Sequence, residues 1–203
     1  FHVADSTPFL HLVRKVSYDI TAAVTRISQY IFPVKLAPVT REYFARSAAL
    51  FTGQRALDMH SIGEGQIDPD TVTRLSAEPL YNATLRTTCV TTMLNAGHAE
   101  NALAQTARAT VNCRVLPWDD LAEVDQKIRE LVGNPTIEVK QTTVPIKSPP
   151  SPLTATIIEP IEQISAEMWP GVPLIPTMGT GATDSLFLRN LGIPMYGVSG
   201  IFA

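Results

Sequence analysis

The sequence contains few of the residue patterns that mark a complete catalytic centre. Its four histidines and two cysteines are scattered along 203 residues, with neither the HExxH spacing of zinc peptidases nor a CxxC pair. The GxSxG motif of serine hydrolases, the phosphate-binding GxxxxGK[ST] motif and the dinucleotide-binding GxGxxG motif are also missing. By itself the sequence shows no metal-ligand set and no activated nucleophile.

Basic clusters and long apolar runs are missing as well. The formal net charge is −3, and no Lys/Arg cluster alternates with aromatic residues, which argues against nucleic acid as the main partner. No apolar run reaches the roughly 18 residues that span a membrane. The composition, 45% hydrophobic and 17% charged, is typical of a globular protein. The opening FHVADSTP has no Met and no apolar core, so we expect a fragment of a longer protein, and the compartment stays unknown.

The first part of the sequence predicts helices. Apolar residues recur at three- and four-residue steps over residues 9–31, and Pro33 would end that helix. A second helix is predicted over 40–53, and a third begins at Asp68-Pro69. The stretch SIGEGQ, residues 61–66, is predicted to be a loop.

The middle of the sequence predicts a half-buried sheet. Residues 84–94 are rich in threonine and include Val90 and Cys89, and residues 107–115 alternate apolar and polar side chains. A helix is predicted from Asp119 or Asp120 to Gly133, followed by a strand over 136–146. We therefore expect one packed and one solvent-exposed face.

Both cysteines lie in these predicted strands. The apolar neighbours of Cys89 and Cys113 favour buried free thiols, because free cysteine behaves as a small core residue. A disulfide between neighbouring strands is the alternative.

Prolines separate this region from the end of the chain. The stretch SPPSP, residues 148–152, is predicted to link a domain over 1–147 to a segment over 153–203. That segment alternates a helix over 153–169 and a short helix SLFLRNLG with the apolar strands VPLIP and IPMYGVS, which is typical of a parallel α/β sheet. Two strands are too few for such a sheet, so we expect its other strands outside this chain.

A Gly-rich run, GTGATD at residues 179–184, precedes the short helix. Glycine can expose backbone N–H groups that bind an anion at a helix start, or it can simply let the chain turn. Arg114 ends a predicted strand on its polar face, where its planar guanidinium could bind a carboxylate, and Asn101 precedes the same strand. From the residues alone, Arg114 and Asn101 could equally be solvated strand and turn residues.

Two segments resemble one known family. NAGHAENALAQTARATVNCR is similar to the inter-strand segment of the lid, or dimerisation, domain of zinc-dependent exopeptidases and amidohydrolases. This family includes aminoacylase, glutamate carboxypeptidase and succinyl-diaminopimelate desuccinylase; Ala104 stands where it usually has proline. MGTGATDSLFLRNLGIPMYGVSG is similar to a late catalytic-domain segment of the same family, in which a GxTD loop leads into a helix and a GIP strand.

The resemblance implies a fold and a cofactor. It implies an α+β lid domain, with an antiparallel four-stranded sheet and two or more helices on one face, followed by an α/β segment of an incomplete catalytic domain. Paired lids would make a homodimer. Two zinc ions are implied in the intact enzyme, and neither their ligands nor the general base can be placed in this chain.

The resemblance also implies roles for individual residues. Asn101 would contact the substrate's carbonyl and Arg114 its carboxylate. His98, in the same loop as Asn101, is expected to approach that cleft, and the alternative is an exposed turn histidine. His2 lies near the position of the family's lid histidine, without the flanking glycines, and no residue is assigned with certainty to catalysis. Asp184 is expected to cap the short helix. The turn residues implied in binding the carboxylate are Gly179, Thr180, Gly181, Ala182 and Thr183.

These implications lead to a functional expectation. We expect a fragment of a di-zinc metallopeptidase or amidohydrolase that hydrolyses an amide bond next to a free carboxylate, in a peptide or an N-acyl amino acid. This part would supply carboxylate binding and dimerisation and would be inactive alone. The alternative is a non-catalytic ferredoxin-like dimerisation or regulatory module, which an antiparallel sheet backed by helices can also form.

Overall fold

The computed structural model describes residues 16–181 and 183–198 of the chain. Within these ranges the backbone forms eight helices and two strands. Their bounds are Val16–Gln29 (α1), Pro38–Ala48 (α2), Gly53–Gly63 (α3), Pro69–Ser76 (α4), Pro79–Leu85 (α5), Thr88–Ala96 (β1), Ala107–Arg114 (β2), Leu121–Val132 (α6), Ala155–Met168 (α7) and Ser185–Asn190 (α8).

These elements belong to two compact units. The first contains α1, the hairpin residues Cys89–Cys113, and Ala122–Thr143 with most of α6. The second contains Phe32–Thr88 with α2 to α5, the segment Arg114–Leu121, and residues 144–198 with α7 and α8.

In the first unit, β1 and β2 pair as an antiparallel hairpin. Cys89 faces Cys113, and the Thr92 hydroxyl donates a hydrogen bond of 3.4 Å to the Thr110 carbonyl. Residue numbers therefore rise along one strand as they fall along the other, which defines an antiparallel pair.

Two helices cover one face of this hairpin. Ala23 and Ile27 of α1 and Val132 of α6 are buried together, and Cys89 packs against them from the hairpin. The Arg26 Nε also donates a 2.6 Å hydrogen bond to the Leu131 carbonyl, near the C-terminal end of α6, where a cation is favourable. The chain thus contains an α+β unit with a packed sheet face, as the alternation predicted.

The sheet has two strands within the described residues, not the four that were expected. Residues 136–146 form no strand, although Ile137 and Val139 pack against the α1–α6 cluster. Alternating apolar and polar residues indicate that one face of a segment is buried, but they do not show whether its backbone pairs with a neighbouring strand. Residues 172–176 and 193–198 form no strand either, because a parallel strand needs paired neighbours and the described residues supply none there.

The two cysteines are bonded to each other, so the prediction of free thiols is wrong. Cys89 and Cys113 form a disulfide with their Cα atoms 4.0 Å apart, and the described residues contain no free cysteine. Both side chains lie on the packed face of the hairpin, as alternation indicated. The strand register, which alternation does not specify, places them opposite each other.

The second unit has its own core, enclosed by α2 to α5. A close approach between helices helps form it: a Cβ at Gly63 would lie 2.7 Å from the Cα of Ala45, so glycine lets α3 pack directly on α2. The buried residues of this core are Phe44, Met59, Ile62, Leu75, Tyr81 and Leu85.

Several predicted boundaries in this unit change. The helix predicted over 40–53 is α2, which ends at Ala48, and α3 was not predicted. α3 includes residues 61–63, which were expected in a loop. α5 was not predicted; it begins at Pro79 and ends at Leu85, which moves the start of the first strand from residue 84 to Thr88. Proline in the first turn of a helix is favourable. Thr84 and Leu85, the last residues of α5, were assigned to the strand because the threonine-rich stretch begins there.

A buried ion pair lies beside the core. Asp58 is 3% exposed and accepts two hydrogen bonds of 2.7 Å from the Arg74 guanidinium and one of 2.8 Å from Gln54. The hydrogen bonds from Arg74 lower the pKa of the Asp58 carboxyl, against the opposing effect of burial.

The end of the chain contributes α7 and α8. α7 confirms the helix predicted over 153–169 and contains Pro160, and neither α7 nor α8 buries a residue. In the part of the chain that the structure describes, no helix is long and apolar enough to cross a membrane.

Candidate functional site

Arg114 is the last residue of β2, and its side chain is exposed to solvent. A buried polar cluster fixes the segment that follows it. Asp119 is 5% exposed, accepts a hydrogen bond from the Thr87 hydroxyl, and lies 2.5 Å from the Lys35 ammonium. The Thr87 hydroxyl also accepts a hydrogen bond of 3.1 Å from the Leu116 N–H. This cluster anchors the backbone just after Arg114.

The Gly-rich turn lies against Arg114. The Arg114 Nη1 donates a hydrogen bond to the carbonyl oxygen of Thr180. Gly179 and Gly181 flank this contact, and a Cβ at either position would meet no atom within 4 Å. The structure therefore brings Arg114 and the described part of the turn together, and the turn is open on the sides where side chains would project.

The end of the turn leads into α8. Thr183 and Asp184 are exposed, and Asp184 occupies the N-cap position without a side-chain capping hydrogen bond. The expected stabilisation of α8 by this carboxylate is therefore not seen as a hydrogen bond. Ala182 and His2, which were also predicted to contribute to the site, lie outside the described residues.

Asn101 and His98 lie in the loop between β1 and β2, and both side chains are exposed. Their neighbour Ala102 lines a groove of about 250 Å³ together with Ser17 and Tyr18 at the start of α1. This loop therefore sits at the N-terminal end of α1.

Asn101 and Arg114 lie on either side of β2 in the sequence: Asn101 is in the loop before this strand and Arg114 is its last residue. Asn101 belongs to the first compact unit and Arg114 to the second.

A second crevice, of about 460 Å³, lies between α2 and α7 and was not predicted from the sequence. Arg46 forms an ion pair with Glu162 there and donates a 3.0 Å hydrogen bond to the Leu174 carbonyl. The hydrogen bond to Glu162 raises the pKa of the Arg46 guanidinium. Because these two charges neutralise each other, the crevice is a poorer anion site than the surroundings of Arg114. Arg46 is far from Glu162 and Leu174 in the sequence and no motif links them, so this crevice could not be predicted from the sequence.

Metal-binding residues are not grouped in residues 16–181 and 183–198. No three His, Cys, Asp or Glu side chains lie close enough there to hold a metal ion. The described residues therefore do not fit a zinc centre.

Comparison with known proteins identifies a family match. Residues 39–140 match the family described as peptidase dimerisation domain (M20_dimer). The match includes both strands of the hairpin, Asn101 and Arg114, and it does not include the Gly-rich turn.

Similar proteins support the same family. Probable carboxypeptidase S-like 2 of Dictyostelium discoideum is 27% identical over 118 residues, which is 58% of this chain and 23% of that protein. N-fatty-acyl-amino acid synthase/hydrolase PM20D1 is 28% identical in Mus musculus and 30% identical in Homo sapiens, each over 125 residues, 60% of this chain and 25% of the relative. The chain spans about a quarter of the length of these curated relatives. No solved structure shows significant similarity to it.

Proposed function

Because the chain belongs to the peptidase dimerisation domain family, we propose that it is part of a hydrolase that cleaves an amide bond next to a free carboxylate. A carboxypeptidase and an N-acyl-amino acid hydrolase, the activities named for its relatives, both act on such a bond. The proposed substrate is therefore a peptide or an N-acyl amino acid.

The part of the function assigned to this chain is binding of the substrate's carboxylate. The observation that carries this proposal is the contact between the Arg114 guanidinium and the Gly-rich turn at Thr180. An arginine has five N–H donors, and a hydrogen bond from Nη1 leaves the edge formed by Nε and Nη2 to pair with both oxygens of a carboxylate. The open positions of Gly179 and Gly181 allow a ligand to approach the backbone.

The hydrolytic step is assigned to the remainder of the intact protein. The described residues do not fit a metal centre. We propose that the two zinc ions, their ligands and the general base belong to the rest of the intact protein, and that this chain alone binds the carboxylate without hydrolysis.

A homodimer is the proposed assembly, since the matched family is named for dimerisation. Asn101 and Arg114 are both proposed to contact the substrate, Asn101 at its carbonyl and Arg114 at its carboxylate, as the family resemblance implies.

Substitution of Arg114 in the intact protein tests the carboxylate site. The substrates are an N-acyl amino acid and its carboxamide analogue, which lacks the negative charge. A hydrogen bond to a charged group contributes about 1.5–3 kcal/mol, so Arg114→Ala should lower kcat/KM about 10- to 100-fold for the carboxylate, mainly through KM. The carboxamide should be affected little.

Arg108→Ala is the matched control, because Arg108 is exposed and lies on the same face of β2. Equal effects of the two substitutions, or equal losses for both substrates with Arg114→Ala, would contradict carboxylate binding by Arg114. No turnover of any acyl amino acid or peptide by the intact protein, together with a stable dimer, would favour the non-catalytic dimerisation module.

A further inference from the structure

The Gly-rich turn has little to hold it in one conformation. Residues 177–181 form no regular secondary structure, and Gly179 and Gly181 have no neighbours at their Cβ positions. Among the described residues of this stretch, the bond from Arg114 to Thr180 is the one hydrogen bond that the structure shows. Glycine explores more backbone conformations than other residues, so an unsupported turn of this composition would sample many.

The Arg114 contact acts on a particular peptide plane. The Thr180 carbonyl and the Gly181 N–H belong to the same peptide unit, and in a trans peptide these two groups point in opposite directions. A donor that holds the carbonyl therefore also sets the direction of the Gly181 N–H, which points away from the guanidinium.

The backbone of Arg114 is held in place by the structure around it. Its backbone ends a paired strand, and the following residues are anchored through Asp119, Thr87 and Lys35. The Arg114 side chain can therefore order a turn that makes few other contacts, because the Arg114 backbone does not move with the turn.

We propose that Arg114 is a positioning residue for the Gly-rich turn, in addition to any direct contact with the substrate. It holds the Thr180 carbonyl and thereby orients the Gly181 N–H before a ligand arrives. The inference rests on the proposed function only for the identity of that ligand, a carboxylate. The ordering of the turn is a property of the chain itself.

Backbone ¹⁵N relaxation of the full chain tests the ordering. With wild-type sequence, the amides of Thr180 and Gly181 should show order parameters near the rigid value of about 0.85, and Arg114→Ala should lower them below about 0.6. Arg114→Lys keeps a donor of similar reach and should restore most of the order. Arg108→Ala should leave the turn unchanged, and amide shifts of α2 to α4 confirm that each variant is folded.

The result that overturns the inference is a turn whose order parameters are the same with and without Arg114, or a turn that is already mobile in the wild-type chain. Kinetics of the intact protein separate this inference from the proposed function. If Arg114→Lys restores the order of the turn while KM for the carboxylate stays raised, Arg114 both positions the turn and pairs with the substrate. If the turn stays ordered in Arg114→Ala but KM for the carboxylate is raised, the proposed function stands and the positioning role is refuted. If the turn is disordered in Arg114→Ala but KM is unchanged, the positioning role stands and carboxylate binding by Arg114 is refuted.

Discussion

Removal of the Cys89–Cys113 disulfide should destabilise the unit that contains α1, the hairpin and α6. The bond joins cysteines 24 residues apart, and in the chain-entropy treatment a cross-link that closes a loop of this length stabilises the folded state by about 3.5 kcal/mol. Residual structure in the unfolded hairpin would reduce this value, so we expect a loss of about 2–3.5 kcal/mol. Packing of Ala23, Ile27 and Val132 remains, so the unit should stay folded.

Hydrogen exchange measured by mass spectrometry reports this loss locally. Peptides from α1 and α6 of a Cys89→Ala/Cys113→Ala variant should exchange about 30- to 300-fold faster than those of the oxidised chain, since 1.4 kcal/mol corresponds to a factor of ten. Peptides from α2 and α3, which form the other core, provide an internal control and should not change. A reductant should accelerate exchange in the wild-type chain and have no effect on the variant.

Two results would refute this reasoning. Alkylation of the unfolded chain without reductant should label neither cysteine, and labelling of both would show that the bond does not form. If the bond forms but exchange in α1 and α6 is the same in the double variant, the disulfide does not stabilise this unit.

The second unit allows two further predictions from buried contacts. Asp58→Asn should lower the free energy of unfolding at pH 7 by about 2 kcal/mol, because it breaks a buried charge-assisted pair whose partner Arg74 still reaches solvent. Because the pKa of Asp58 is lowered in the folded state, the stability that its charge contributes is present above the unfolded pKa of about 3.9 and is lost as pH falls through the folded pKa. Urea denaturation should therefore find a smaller difference in unfolding free energy between wild type and Asp58→Asn at pH 2.5 than at pH 7. An equal difference at the two pH values would contradict this account. Gly63→Ala should cost about 1–3 kcal/mol by the same measurement, because its Cβ would overlap Ala45. Gly197→Ala adds a Cβ in open space and should change stability by less than about 0.5 kcal/mol; comparable losses for both glycines would show that the α2–α3 contact is not the cause.

The elements that could be predicted from the sequence are those whose ends or faces depend on near neighbours. The Asp68 carboxylate accepts the Thr71 N–H at 2.9 Å and starts α4, as the pair Asp68-Pro69 indicated. α6 ends before Gly133, which adopts φ 56°. The packed face of β2 follows from its alternation.

The elements that were missed depend on surroundings that a local pattern does not contain. α3 and α5 were not predicted. α5 is short, and its helical form is supported by the burial of Tyr81 and Leu85 in the second core, to which α3 contributes Met59 and Ile62. The predicted strand over 136–146 has the right side-chain pattern, with Ile137 and Val139 in the first core, but it has no backbone partner among the described residues.

The sequence by itself determined where α4 begins, which face of β2 is packed, and to which family the chain belongs. Helix capping and strand alternation depend on residues that are close in sequence, so both can be predicted from short stretches of the sequence. Only the tertiary structure decided that Cys89 faces Cys113 and that Arg114 meets Thr180, 66 residues away. Strand register and contacts at such separations depend on how the whole chain packs.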